Sequence, residues 1–120
     1  MDVVNIDSVE PFRTKDGSEI RELLAHRNSC IRNQSLAEAC VQVGGRTEPH
    51  IHQKAEEIYY ILSGRGRMIV KGDAQYVEAG DAIAIPPRAT HQIINTGDDS
   101  LRFLCCCAPG YEHEDTVLVD

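Results

Sequence analysis

Turn-forming residues recur at short intervals along the chain and leave mostly strand-length segments between them. Gly, Pro, Asn and Asp mark turns because their backbones or short polar side chains suit the required dihedral angles. The turns are Lys15-Asp16-Gly17, Gly44-Gly45, Ser63-Gly64-Arg65-Gly66, Lys71-Gly72-Asp73, Ala79-Gly80-Asp81, Pro86-Pro87 and Thr96-Gly97-Asp98-Asp99. This spacing predicts a domain built from short strands.

The segments between the turns show the alternation that is typical of strands. Ala37, Ala39, Val41 and Val43 alternate with more polar residues, and residues 101–107 repeat the pattern. Further strands are predicted at residues 58–62, 67–71, 74–77, 82–85 and 91–95. Residues 19–26 fit a strand or a short helical turn, and residues 111–120 fit a tail packed outside the barrel. Many short strands favour an all-β sandwich or barrel, because closing a sheet removes its exposed edges.

The composition limits the class of protein. The chain has 120 residues and a formal net charge of -7, which suits one domain at residues 1–120. The acidic balance argues against nucleic acid and membrane as partners, so we expect a small-molecule ligand. With no apolar run near ~20 residues and no signal peptide, we expect a cytoplasmic protein. Cys30, Cys40 and residues 105–107 do not form a disulfide pattern, so we expect reduced thiols.

Metal-ligand side chains concentrate between residues 50 and 57, and His91 follows about forty positions later. His50 and His52 would point to one side of an extended segment, since side chains at i and i+2 share a face. Glu56 and Glu57 face opposite ways on a strand, so only one can join the histidines, and spacing alone leaves the choice open. A His-x-His pair by itself is more often a surface pair than a metal site.

These residues also stand at the spacing of the two motifs of the cupin superfamily. The first motif runs Gly44, five residues, His50, one residue, His52, four residues, Glu57, six residues, Gly64. The second runs Gly80, five residues, Pro86, then Thr90-His91, three residues, Asn95. The chain therefore resembles the small single-domain cupins, including those described as phosphomannose-isomerase-like.

The resemblance implies a fold and a metal site. The expected fold is an all-β, single-domain cupin β-barrel, also called a double-stranded β-helix or jelly roll. The expected ligands of one divalent metal ion are His50, His52, Glu57 and His91. The resemblance thus selects Glu57 over Glu56.

The resemblance also implies an organisation of the chain. The motif-bearing core would span about residues 36–107, residues 1–35 would form N-terminal strands or an arm, and residues 108–120 a C-terminal tail. Small cupins pair through their N-terminal strands, so we expect a homodimer. In the tail, His113, Glu114 and Asp115 could form a lid or an interface contact, although charged residues near a terminus are usually solvated.

Several further residues are candidates for binding or catalysis. The second motif expects glycine where this chain has Arg88, which could grip an anionic substrate or remain a solvated loop residue. Tyr59 is a candidate proton donor, with an ordinary core tyrosine as the alternative. The substrate pocket is predicted to be walled by residues in phase with the ligands, namely Ile61, Ile93, Asn95, Phe103 and Cys105. The cysteines at 105–107 cannot converge as adjacent ligands, so we expect small buried residues there.

The ligand set indicates the chemistry. Three neutral imidazoles and one carboxylate around a divalent ion leave a charge of about +1, which favours an anionic substrate. Nitrogen and oxygen ligands without thiolate favour Fe or Mn, while Zn, Ni, Co and Cu also fit. We expect a metal-dependent enzyme acting on a small polar molecule, with a dioxygenase as the first reaction class and an isomerase, lyase or decarboxylase as the second. The alternative is a non-catalytic binding or sensing module.

Overall fold

The alternating segments form strands in the computed structural model, which describes residues 1–119. The strands are β1 (Phe12–Arg13), β2 (Glu19–Leu24), β3 (Ser35–Val41), β4 (His50–His52), β5 (Glu56–Ser63), β6 (Arg65–Val70), β7 (Asp73–Glu78), β8 (Ala82–Ile85), β9 (His91–Asn95), β10 (Leu101–Ala108) and β11 (Thr116–Leu118). Two short 3-10 turns, Ile6–Ser8 and His113–Asp115, are the helical elements of the described residues.

The strands form two antiparallel sheets. The first has the order β1-β2-β3-β10-β5-β8, and the second has the order β11-β4-β9-β6-β7. Strands distant in sequence pair in both sheets, as where Phe103 on β10 stands between Ala39 on β3 and Ile61 on β5. The structure therefore confirms the all-β cupin-type architecture that the sequence predicts.

The core lies between the two sheets and takes every second side chain of the central strands. Phe103, Ile61, Ile93 and Leu101 are at most 1% exposed, and they come from both sheets. Burying side chains of this size contributes roughly 1.5–3 kcal/mol each to folding, which makes the core the main stabilising feature of the domain.

The structure resolves the segments that the sequence left open. Residues 19–24 form strand β2, and residues 116–118 form β11, which pairs with β4 beside the histidines. The alternating pattern continues to Val43, but β3 ends at Val41, because a hydrogen bond from Gly45 N to Gln42 O at 2.9 Å closes a turn there. Val43 is consequently 57% exposed.

All five cysteines are free thiols, and Cys105 and Cys107 are buried, as expected for small apolar side chains. Within residues 1–119, no helix has the length and apolar character needed to cross a membrane.

Candidate metal centre

Three histidines meet at one end of the interior. His50 and His52 occupy alternate positions on β4, and His50 stands opposite His91 in the antiparallel pairing with β9. The three side chains are at most 5% exposed, and each offers a nitrogen within 4.8 Å of the others. Strand alternation and one cross-strand pair therefore assemble a cluster able to hold a metal ion.

Backbone carbonyls orient two of the imidazoles. His50 Nδ1 lies 2.8 Å from Glu48 O, and His91 Nδ1 lies 2.9 Å from Ala89 O. A carbonyl oxygen only accepts, so in the neutral imidazole Nδ1 carries the proton and Nε2 presents a lone pair to the centre. Both rings are therefore set in the tautomer that a metal requires.

The third imidazole is oriented by the C-terminal strand. Thr116 on β11 stands opposite His52, and its hydroxyl Oγ1 lies 3.1 Å from His52 Nδ1. Asp115 anchors this strand, because its two carboxylate oxygens accept from Lys54 N at 2.9 Å and Ala55 N at 3.1 Å. The residues of the tail thus reach the centre through a side-chain contact.

A buried carboxylate stands beside the histidines. Glu57 is 5% exposed, and its Oε1 lies 3.0 Å from His52 Nε2 and 3.5 Å from His91 Nε2. Its Oε2 accepts a hydrogen bond from Cys107 Sγ at 3.2 Å. Glu56 faces solvent from the same strand. Of the two glutamates, Glu57 is therefore the one within reach of the imidazoles.

The donor set fits a divalent cation. His91 Nε2 is buried and has no hydrogen-bond partner among the described residues, although a carboxylate oxygen stands 3.5 Å away. An imidazole lone pair facing a carboxylate is unfavourable unless a proton or a metal cation lies between them. A bound divalent ion would satisfy both groups, since imidazole nitrogen and carboxylate oxygen are common ligands of such ions.

Burial and charge shift the pKa values of the cluster in different directions. Burial, assisted by the neighbouring His91, lowers the pKa of His50 and favours its neutral form. Burial also opposes protonation of His52, but the hydrogen bond and charge of Glu57 outweigh it and raise the pKa of His52. Although burial acts to raise the pKa of Glu57, His52 and His91 bring it down to about 2. Glu57 is therefore ionised at neutral pH.

A cavity extends from the histidines between the sheets. The space between its lining atoms, together with the part that is open to solvent, is about 490 Å³. Tyr59, Phe103 and Cys105 line it, and the rings of Tyr59 and Phe103 stack with centroids 4.5 Å apart. Burial raises the pKa of the Tyr59 hydroxyl well above its ordinary value, so this group stays protonated.

Three of the predicted pocket residues lie outside the cavity lining, and so does Arg88. Ile61 and Ile93 are fully buried in the core and do not line the cavity. Asn95 is a structural residue, because its side chain donates to Val41 O and to Asp99 O and accepts from Gly97 N. Arg88 is exposed and lies outside the cavity lining. Its φ of 64° is the left-handed conformation that glycine usually provides in the second motif.

The sequence reasoning missed three residues at the centre. Asp16 lies in the β1–β2 turn with its Oδ2 3.4 Å from His50 Nε2, and its position was noted only as a turn signal. Thr116 orients His52, as described above. Tyr111 lines the cavity with a buried hydroxyl that has no hydrogen-bond partner among the described residues. All three come from segments outside the predicted strands.

Comparison with known proteins identifies the family. The profile of the cupin domain matches residues 37–107, which is more than half of the chain. The chain therefore belongs to the cupin family, and its three-histidine cluster is one able to hold a metal ion.

Similar proteins extend over nearly the whole chain. An uncharacterised protein of Methanocaldococcus jannaschii is 49% identical over 114 residues, covering 95% of this chain and 91% of that protein. The structure of a predicted oxalate decarboxylase from Thermotoga maritima has a TM-score of 0.79 at 27% identity, covering 90% of this chain and 99% of that one. The structure of the polyketide cyclase RemF from Streptomyces resistomycificus has a TM-score of 0.81 at 25% identity. The match covers 100% of this chain and 86% of RemF.

Proposed function

We propose that this cupin is a metal-dependent enzyme that acts on a small molecule bound in the cavity beside the histidines. The observation that carries the proposal is the convergence of three imidazoles at the end of a largely apolar cavity, with the buried, ionised carboxylate of Glu57 3.0 Å from His52 Nε2. In this proposal His50, His52, His91 and Glu57 hold one divalent ion, with Fe or Mn favoured by the nitrogen and oxygen ligands. When bound, such an ion supplies Lewis-acid activation of a substrate oxygen.

In this proposal the residues around the metal ion have separate roles in catalysis. Tyr59 follows Glu57 by two positions on β5 and therefore faces the same side of the sheet. Its protonated hydroxyl can donate a hydrogen bond, or a proton, to a substrate oxygen beside the ligands. Phe103 and the apolar walls exclude water from the reacting atoms. Glu57 keeps its charge because two imidazoles stabilise it.

Within this proposal we place an isomerase, lyase or decarboxylase ahead of a dioxygenase. The names of the two similar solved proteins, a predicted oxalate decarboxylase and a polyketide cyclase, refer to a decarboxylation and a cyclisation and not to an oxygenation. Both lie at 25% identity or above, so they support the order of preference and do not identify the substrate.

The test uses two tyrosines that differ in the direction they face. Metal-loaded protein is incubated with a panel of small hydroxy and keto compounds, with and without dioxygen, and products are identified by mass spectrometry. We expect turnover without dioxygen by the wild type and by Tyr60→Phe, since Tyr60 is 44% exposed on the outer face. We expect Tyr59→Phe to keep its metal and lose turnover by roughly 100-fold.

Two outcomes would change the proposal. A compound that raises the melting temperature of the metal-loaded protein and is recovered unchanged would favour a binding or sensing module. Turnover only in the presence of dioxygen, with oxygen consumed, would favour the dioxygenase.

We further propose that the chain forms a homodimer. The outer face of β5 carries Ile58, Tyr60 and Leu62, which are 49%, 44% and 41% exposed. Neighbouring strands extend this apolar face through Leu104 and Ala84. A contiguous exposed apolar surface is typical of a protein interface. The strand β1 pairs with β2 of its own chain, so this face supports the proposal better than the N-terminal strands do.

A further inference from the structure

We propose that Asp16 supplies a second carboxylate to the metal centre, and that the loaded cavity therefore selects neutral ligands over anionic ones. This inference rests on the metal centre proposed above and concerns the class of molecule that the centre accepts. It replaces the anionic substrate expected from the four-ligand set, because that expectation counted one carboxylate. It also narrows the proposed reactions to those of an isomerase or a lyase, since the substrate of a decarboxylase is an anion at neutral pH.

The β1–β2 turn holds the carboxylate of Asp16 in a fixed position. Asp16 is 8% exposed, and its Oδ1 accepts from Thr14 Oγ1 at 2.6 Å, Ser18 N at 2.8 Å and Ser18 Oγ at 2.6 Å. The backbone oxygen of Asp16 accepts from Glu48 N at 2.7 Å, which ties the turn to the segment before β4. These contacts occupy one carboxylate oxygen and leave the other, Oδ2, directed at the histidines.

The free oxygen faces the metal side of an imidazole. Asp16 Oδ2 lies 3.4 Å from His50 Nε2, while His50 Nδ1 donates to Glu48 O. In the neutral ring, Nε2 therefore presents a lone pair to a carboxylate, and the two repel each other unless a cation is shared. At this distance an ion held by His50 would have the Asp16 carboxylate beside it, although Asp16 is not one of the three residues whose ligand atoms all lie within 4.8 Å of one another.

The remaining charges of the cavity do not offset Asp16. The carboxylates that line it are Asp16, Glu22 and Glu57, and no lysine or arginine of residues 1–119 lines it. Glu22 is already paired with Arg27, whose NH2 lies 2.6 Å from its Oε1. A divalent ion with Asp16 and Glu57 then has a net charge of about zero instead of +1, so an anion gains little by binding.

The other residues that line the cavity indicate which kind of ligand it can hold. Phe12, Ile20, Ala37 and Phe103 give the cavity an apolar wall, and the hydroxyls of Tyr59 and Tyr111 are the polar groups among the aromatic lining residues. The predicted ligand is a neutral, largely apolar small molecule with a hydroxyl or carbonyl oxygen for the metal centre.

The test compares an anionic and a neutral probe of similar size. Wild type, Asp16→Asn and Asp98→Asn are loaded with Co(II), and azide and imidazole are titrated at pH 8 while the visible cobalt spectrum is recorded. Asp98→Asn is the control, because its side chain is 99% exposed and its substitution changes the net charge equally. We expect the wild type to bind imidazole more tightly than azide. We expect Asp16→Asn to bind azide about 10-fold more tightly, with imidazole affinity changed less than 3-fold.

The outcomes separate this inference from the proposed function. Azide binding that is tighter than imidazole binding in the wild type, or unchanged in Asp16→Asn, would overturn the inference and leave the metal centre standing. The comparison of azide and imidazole affinity in the wild type can be made even if Asp16→Asn does not fold. Failure of the wild type to bind cobalt would overturn the metal centre itself, and the inference with it.

Discussion

At the scale of single residues, the candidate centre depends on how each imidazole is held. The sequence predicts the residue types and their positions, because His50 and His52 share a face by strand alternation alone. It does not predict the groups at Nδ1, which are two backbone carbonyls and the hydroxyl of Thr116. Such partners fix the ring orientation and raise the basicity of the coordinating nitrogen. Thr116 is the one partner of the three that a substitution can remove.

We predict that Thr116→Val weakens metal binding by about 10-fold, because it removes the oxygen 3.1 Å from His52 Nδ1 while keeping the side-chain volume. Thr116→Ser keeps the hydroxyl and is the matched control. Competition with a chromophoric chelator measures both affinities. Wild-type affinity in Thr116→Val would show that this hydroxyl does not orient the imidazole.

At the scale of elements, the sequence predicts the positions of the central strands well. It does not predict the contacts that residues near the two ends of the chain make with the histidines. Alternation is a local property, so β5, β8 and β9 fall close to their predicted positions. The cupin resemblance likewise identifies Glu57 over Glu56 before the structure shows which of them is buried. Asp16 and Thr116 reach the histidines through long-range packing, which no local pattern encodes. Arg88 occupies an exposed turn with positive φ, and its role in binding an anionic ligand stays a prediction.

Two glycines in turns between strands differ in the space available for an added Cβ atom. Gly64, between β5 and β6, has φ +90° and an added Cβ would stand 2.8 Å from Ser100 O. Gly72, between β6 and β7, has φ +80° with nothing within 4 Å. We predict that Gly72→Ala lowers the free energy of unfolding by ~1 kcal/mol through backbone strain alone. Gly64→Ala should lower it by at least ~2 kcal/mol, since it adds a backbone clash.

Urea denaturation of both variants gives the comparison. Equal losses in the two variants would mean that the hairpin of β5 and β6 can shift away from β10 without cost. Stabilities are compared in metal-free protein, so that changes in metal affinity do not contribute.

At the scale of the whole molecule, the two faces of the six-stranded sheet have different roles. The inner face supplies Phe103 and Ile61 to the core and Glu57 and Tyr59 to the cavity. The outer face of the same β5 strand is apolar and exposed. Because β5 carries both faces, a subunit contact on the outside would brace the strand that holds Glu57.

We predict that the protein sediments as a dimer and that Tyr60→Glu converts it to a monomer, because a buried charge in an apolar interface is strongly unfavourable. Tyr76→Glu is the control, since Tyr76 is 72% exposed on β7 of the other sheet. Analytical ultracentrifugation distinguishes the species. A dimeric Tyr60→Glu would exclude this face, and a monomeric wild type would contradict the homodimer.

Whether the cluster holds a divalent ion can be measured by elemental analysis of two neighbouring glutamate variants. Wild type, Glu57→Ala and Glu56→Ala are purified without added metal or chelator, and the metal content per chain is measured. We predict about one equivalent, with iron or manganese favoured, in the wild type and in Glu56→Ala, and a large loss in Glu57→Ala, which removes the buried carboxylate. Full metal content in Glu57→Ala, or equal losses in the two variants, would contradict this prediction.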